Sequence, residues 1–130
     1  LAVMKSPSDR YLRLFMGDAF AKGGEDELAV RTWREAAEHN RSWPVPLIRA
    51  SQVLLEQGRF EAAHDGAAAA VRPARDNFAA QITLARAWAR CLEAGLHVGN
   101  DADLMSRLDA LEANQSTKIE VAQLRATLLP

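Results

Sequence analysis

Large apolar and small residues follow one another along this chain in a fixed order. In three places a bulky residue is followed three positions later by a small residue, and three further on by a second bulky one. The sets are Leu14, Gly17 and Phe20; Ile48, Ser51 and Leu54; and Ile82, Ala85 and Trp88. Each set begins 34 residues after the one before it. The pattern predicts an internal repeat with this period.

Small residues further along the chain keep the same period. Ala29 and Ala63 lie 34 residues apart, as do Ala36 and Ala70, and a glycine precedes each pair at Gly24 or Gly58. Glycine commonly ends a helix because it adopts a left-handed backbone without steric cost. Each repeat is therefore expected to contain two helices that are joined at a glycine.

Helix caps and helix breakers predict seven helices and no strand. Ser6-Pro7-Ser8-Asp9 is a start signal, and Gly23-Gly24 is a stop signal. A third helix is expected to start at Ser42-Trp43-Pro44 and to run to Gln57. The other expected spans are 7–22, 25–40, 60–72, 76–94, 101–113 and 117–129, with the longest turn between Gly95 and Asp101.

This repeat resembles the tetratricopeptide repeat (TPR), whose first helix carries a small residue and an aromatic one and whose second helix carries two small residues. The resemblance covers about residues 10 to 111. It implies an all-α, helical-hairpin solenoid: a single domain, residues 1–130, with units at about 10–43, 44–77 and 78–116 and a capping helix at 117–129. Two departures stand out. Ala67 replaces the aromatic Trp33 in the second unit, and the third unit loses the register after Leu92, where His97 takes a small position.

The fourth expected helix is unusually rich in alanine, from Ala62 to Ala70. Most helices in water are stabilised by burying bulkier side chains. In the repeat that this chain resembles, the second helix lies against first helices on both sides, and small side chains allow a close approach. We therefore expect Ala63 and Ala70 to be buried.

Composition excludes several classes of protein. With 130 residues, 48% of them hydrophobic, the chain is expected to form one globular domain. Its 16 basic and 17 acidic residues give a net charge of −1, which disfavours nucleic acid as a partner. No apolar run is long enough to span a bilayer. Because the chain begins with leucine, we expect it to be a piece of a longer protein. We favour a cytoplasmic location, with the periplasm as the alternative if a signal lies in a missing N-terminal part; oligomeric state is left open.

Residues with catalytic or metal-binding chemistry are scattered. No two of His39, His64 and His97 have the i, i+4 spacing that would place two imidazoles on one metal ion. His64 and Asp65 are adjacent, so we expect their side chains to point in different directions. The lone Cys91 is expected to be buried and inert. We therefore expect no catalytic residue, no metal, no cofactor and no enzyme activity.

The TPR resemblance implies a concave groove lined by the first helix of each unit. The groove residues that it implies are Tyr11, Leu14, Asp18, Ile48, Arg49, Gln52, Ile82, Arg86 and Arg90. Helical periodicity leaves open whether the apolar strip of Leu14, Ile48 and Ile82 is groove or core. The three arginines would favour a protein or peptide partner with apolar anchors and an acidic end.

Some TPR domains hold the C-terminal carboxylate of a chaperone with lysine, asparagine and arginine. Only Arg49 could serve in this way here, so chaperone-tail binding is not expected. The matching positions hold Leu14, Asp18, Arg49, Ala79 and Thr83.

Two functions therefore remain. The first is a non-catalytic protein-protein interaction module that binds a peptide or protein segment in the groove. The alternative is a structural repeat segment that packs against other repeats or domains of a longer scaffold or assembly protein.

Overall fold

The computed structural model describes residues 7–113 and 118–128 of the chain. These ranges contain seven helices and no strand, which confirms the predicted all-α fold class. The cap predicted at Ser6 lies outside the described residues. The helices are α1 (Pro7–Lys22), α2 (Asp26–His39), α3 (Val45–Glu56), α4 (Phe60–Val71), α5 (Phe78–Glu93), α6 (Asp101–Glu112) and α7 (Lys118–Leu128).

Three of the helices end in the same glycine turn. Gly24, Gly58 and Gly95 have φ angles of 82°, 78° and 79°, in the left-handed region where other residues are strained. After Gly24, the amide of Glu25 donates to the carbonyl of Phe20 at 2.8 Å. The amides that follow Gly58 and Gly95 make the same bond, which satisfies a carbonyl left over at the end of the helix. The glycine turn is therefore a repeated structural unit.

The third glycine turn shows where the repeat loses its register. Gly95 follows Gly58 by 37 residues rather than 34, because α5 continues for three residues beyond the expected end. The remaining extra residues lie in the connection 94–100, the longest between the described helices. The long turn was predicted correctly, but the sequence analysis placed all of the insertion after Gly95.

Each second helix of a pair packs between two first helices. α2 contacts α1 and α3, and α4 contacts α3 and α5. The predicted small positions on α2 and α4 are all fully buried, as expected for helices that approach closely. They are Ala29, Ala36, Ala63 and Ala70, each 0% exposed.

The buried apolar residues form two clusters along the solenoid. The first joins α1 to α4 and includes Leu14, Trp33 and Leu54. The second joins α3 to α7 and includes Trp88 and Val121. Because α7 contributes the fully buried Val121 and packs against α5 and α6, it closes the C-terminal end of the second core.

Candidate functional site

An open groove of about 620 Å³ lies along α1, α3 and α5. Its polar wall follows the 34-residue register, because Asp18, Gln52 and Arg86 occupy equivalent positions on the three helices. Glu56 and Arg90 lie one helical turn further on and form a second row. Of the nine residues that the sequence analysis named, five line this groove: Asp18, Arg49, Gln52, Arg86 and Arg90.

Asp18 connects three helices at the N-terminal end of the groove. One oxygen of its carboxylate accepts a hydrogen bond from Trp33 Nε1 of α2 at 3.2 Å. The other accepts from Arg49 Nη1 of α3, which forms an ion pair with it. Both charged side chains are 36% exposed. Arg49 is therefore compensated by the groove's own acid.

A second ion pair links the groove to α7. Arg86 Nη2 lies 2.9 Å from Glu120 Oε2, and these side chains are 36% and 42% exposed. Arg90, one turn further along α5, is exposed and has no charged partner within residues 7–113 and 118–128. The predicted cluster of three arginines is thus present in position, but only one of its charges is unpaired. The sequence gave no sign of either pair, because Arg49 and Arg86 each meet an acid more than 30 residues away on another helix.

The apolar strip that could have been groove or core lies in the core. Leu14, Ile48 and Ile82 are only 2%, 8% and 7% exposed. Leu14 packs in the first cluster, where its backbone carbonyl also accepts a hydrogen bond from Trp33 Nε1 at 3.1 Å. The other two belong to the second cluster. The apolar lining of the groove comes instead from Ala21, Trp33, Val53 and Leu55.

Tyr11 lies outside the groove, in an aromatic cluster beside the first turn of α1. Its ring meets that of Trp43 edge-on, with 5.2 Å between the centroids. The Arg10 guanidinium lies 5.1 Å from the Tyr11 ring and 4.5 Å from the Trp43 ring. Such a cation held against two aromatic rings stabilises the connection between α2 and α3. Tyr11 therefore has a packing role in this structure.

A second open cavity, of about 770 Å³, lies between α2 and α4. It also has a mixed polar and apolar lining, so any test of the groove must separate the two. Its charged residues are Arg34, Glu38, Arg41, Asp65 and Arg72.

The histidine and cysteine side chains form no catalytic arrangement in the described residues. His64 Nδ1 lies 3.4 Å from Asp65 Oδ1, so these neighbours do approach each other, contrary to expectation. The His64 ring packs edge-on against Trp88 at 5.5 Å. Cys91 is fully buried, and burial, followed by the charges of Glu61 and Asp65, raises its pKa and keeps the thiol neutral.

Among the residues described, no group of three histidine, cysteine or acidic side chains is placed to hold a metal ion. None of the helices in the same ranges is long and apolar enough to cross a membrane.

Helix pairs stacked at a constant register, with small residues at each crossing, define an all-α helical repeat. Comparison with solved structures gives the particular fold. The chain is similar to the TPR2AB domain of yeast Sti1 in its complex with pHSP90, with a TM-score of 0.77 and 18% identity. That match covers 95% of this chain and 47% of the Sti1 chain, so this chain spans about half of it.

Two further TPR structures are similar over most of their own length. The second TPR domain of human RPAP3, solved with the HSP70 peptide SGPTIEEVD, has a TM-score of 0.70 and 12% identity over 92% of this chain and 98% of that one. The TPR domain of Arabidopsis OM64 has a TM-score of 0.68 and 17% identity over 90% and 94%. No family model matches the sequence, and neither does any curated protein. The chain therefore has the TPR fold.

Proposed function

We propose that this chain is a non-catalytic interaction module that binds a segment of another protein in the groove along α1, α3 and α5. The observation that carries the proposal is the open groove of about 620 Å³, whose wall presents Gln52, Glu56 and Arg90 from successive first helices. The similar Sti1 and RPAP3 structures contain pHSP90 and an HSP70 peptide, which supports a protein ligand for this fold.

The groove's charges favour a ligand with a carboxylate near α5. Arg90 is exposed and unpaired in the described residues, and Arg86 can exchange its exposed partner Glu120 for a ligand carboxylate. Arginine holds a carboxylate through two parallel hydrogen bonds. The apolar lining at Ala21, Val53 and Leu55 suits an aliphatic side chain of the same ligand. We expect a modest affinity, about micromolar, that weakens as salt is added.

A chaperone tail is not the ligand that these residues favour. Leu14 and Thr83, which occupy two of the clamp positions, are 2% and 1% exposed. A third clamp position holds the acid Asp18, which already pairs with Arg49. We therefore expect that SGPTIEEVD, if it binds at all, binds equally well when its terminal carboxylate is amidated.

The test is to select peptides from an acidic, leucine-containing library and to measure their affinity for three proteins: the unaltered chain, Arg90→Glu and Arg72→Glu. Arg72 is an exposed arginine of the cavity between α2 and α4, so it is a matched control for charge. We expect Arg90→Glu to weaken binding about tenfold and Arg72→Glu to change it less than about twofold. The opposite result would assign binding to the cavity between α2 and α4.

A further inference from the structure

The outward side of α1 carries three neighbouring apolar side chains that nothing covers. Leu12, Phe15 and Met16 are 61%, 57% and 45% exposed. Their i, i+3 and i+4 spacing places them on one side of the helix, which we call the α1 outer face. Single exposed apolar residues are common, but a contiguous group of large ones indicates a surface that binds something.

The repeat register shows how the same positions are used elsewhere in this molecule. Residues 34 and 68 positions after Leu12, Phe15 and Met16 are buried in α3 and α5, apart from the half-exposed Arg49. The buried equivalents are Pro46, Ala50, Ala80, Thr83 and Leu84.

In both internal cases the cover is the second helix of the preceding unit. Ala50 of α3 shares a buried cluster with Val30 and Trp33 of α2. Leu84 of α5 shares one with Ala67 and Ala70 of α4. No helix stands in this position before α1 in the described part of the chain. Because solenoids need a polar outer side on a terminal repeat, the α1 outer face has the character of an internal interface.

We propose that the α1 outer face docks the second helix of a further repeat unit, placed before α1 as α2 is placed before α3. Its side chains should be small where the helices cross, because Phe15 and Met16 already supply the bulk. The match to only 47% of the similar Sti1 chain shows that this fold occurs within longer solved chains. The proposal concerns a different surface from the groove, so either one can fail without the other.

The test supplies such a helix from the molecule itself. Residues 44–77 precede residue 78 at the repeat register, so they can be placed directly before residue 10 in the same register, replacing residues 1–9. The graft brings its own cap, Asn77, whose side chain accepts from the amide of Ala80 at 3.0 Å in the native position. Phe15→Glu is then made in the grafted chain and in the 130-residue chain. Ile119→Glu, at a 75% exposed position on α7, is the matched control.

We expect Phe15→Glu to lower the urea midpoint of the grafted chain by about 1 M, because it would place a charge in a covered helix contact. In the 130-residue chain the same change should act no more strongly than Ile119→Glu. Equal effects of Phe15→Glu in the two chains would overturn the proposal. If the grafted chain does not fold, residues 10–43 provide a second graft, and failure of both to dock would also overturn it.

Sedimentation of the 130-residue chain separates a second copy from a further repeat. We expect a monomer over the measured concentration range. A dimer that Phe15→Glu dissociates would assign the α1 outer face to a second copy and contradict the proposal.

Discussion

The first two helix pairs place the same contact at the same register and fill it in opposite ways. In the pair α1 and α2, the large ring of Trp33 lies against Gly17, where an added Cβ would come within 2.4 Å of the indole. In the pair α3 and α4, Ala67 stands where Trp33 would be, and Gly66 lies against Ser51. One pair combines a glycine with an aromatic, and the other combines small residues with small residues.

The difference shows what the repeat register specifies. It specifies where two helices cross, because the small positions Ala29, Ala36, Ala63 and Ala70 are buried in both pairs. It does not specify how much side-chain volume lies between the helices. Volume is shared within each pair, so the alanines of α4 are matched to the side chains that they meet on α3 and α5.

Removing the aromatic that fills the first pair should have the largest effect. Trp33 is 3% exposed and donates to both Leu14 and Asp18, so Trp33→Ala leaves a large cavity and two lost hydrogen bonds. We expect a loss of about 3–5 kcal/mol in the free energy of unfolding, measured in urea. Trp43→Ala, at a half-buried position, is the control and should cost less.

The two glycines should respond differently to alanine. Gly17→Ala drives a Cβ into the rigid Trp33 ring, and we expect it to destabilise by about 1–3 kcal/mol. Gly66→Ala meets only Ser51 Oγ, at 2.8 Å, which can turn away, and it gains about 1 kcal/mol of helix propensity. Its unfolding midpoint should stay close to that of the unaltered chain. If the two variants lost equal stability, the proposed difference between the pairs would be wrong.

Within α4, position on the register should decide the cost of added volume. Ala63 is fully buried, whereas Ala69 is half-buried. We expect Ala63→Leu to destabilise by about 1–3 kcal/mol through overpacking, and Ala69→Leu to cost less than 1 kcal/mol, or roughly nothing. Equal midpoints in thermal or urea unfolding would show that helix approach does not set the alanines.

The smallest expected effect concerns the ion pair that only the third helix pair makes with α7. Arg86 and Glu120 are partly exposed, so their coupling in a double-mutant cycle should be about 0–1 kcal/mol. Glu120→Gln should nonetheless release Arg86 for a ligand and strengthen binding of an acidic peptide by a few-fold. Weaker binding after this change would show that Arg86 does not contact the ligand.

Much of the fold could be predicted because it follows from local signals. Turn glycines, the proline before α3 and the 34-residue register located all seven helices and the buried small residues. The register also placed Asp18, Gln52 and Arg86 along one groove.

The remaining features depend on contacts between distant helices. Periodicity could not decide that Leu14 belongs to the core, because groove and core positions share the same helical spacing. The partners of Arg49 and Arg86 lie on other helices, and nothing in the sequence marks Glu120 as one of them. The stack of Arg10 with Tyr11 and Trp43 was likewise missed, although three such residues near one helix start are a weak signal of contact.

The proposed groove is tested most directly by mapping amide chemical shifts while the best library peptide is titrated into the isotope-labelled chain. We expect the largest changes at Gln52, Glu56 and Arg90, on the walls from α3 and α5. Small changes are expected at Arg34 and Arg72, which line the cavity between α2 and α4. Shifts concentrated at that cavity, or no saturable shift along the groove, would contradict the account.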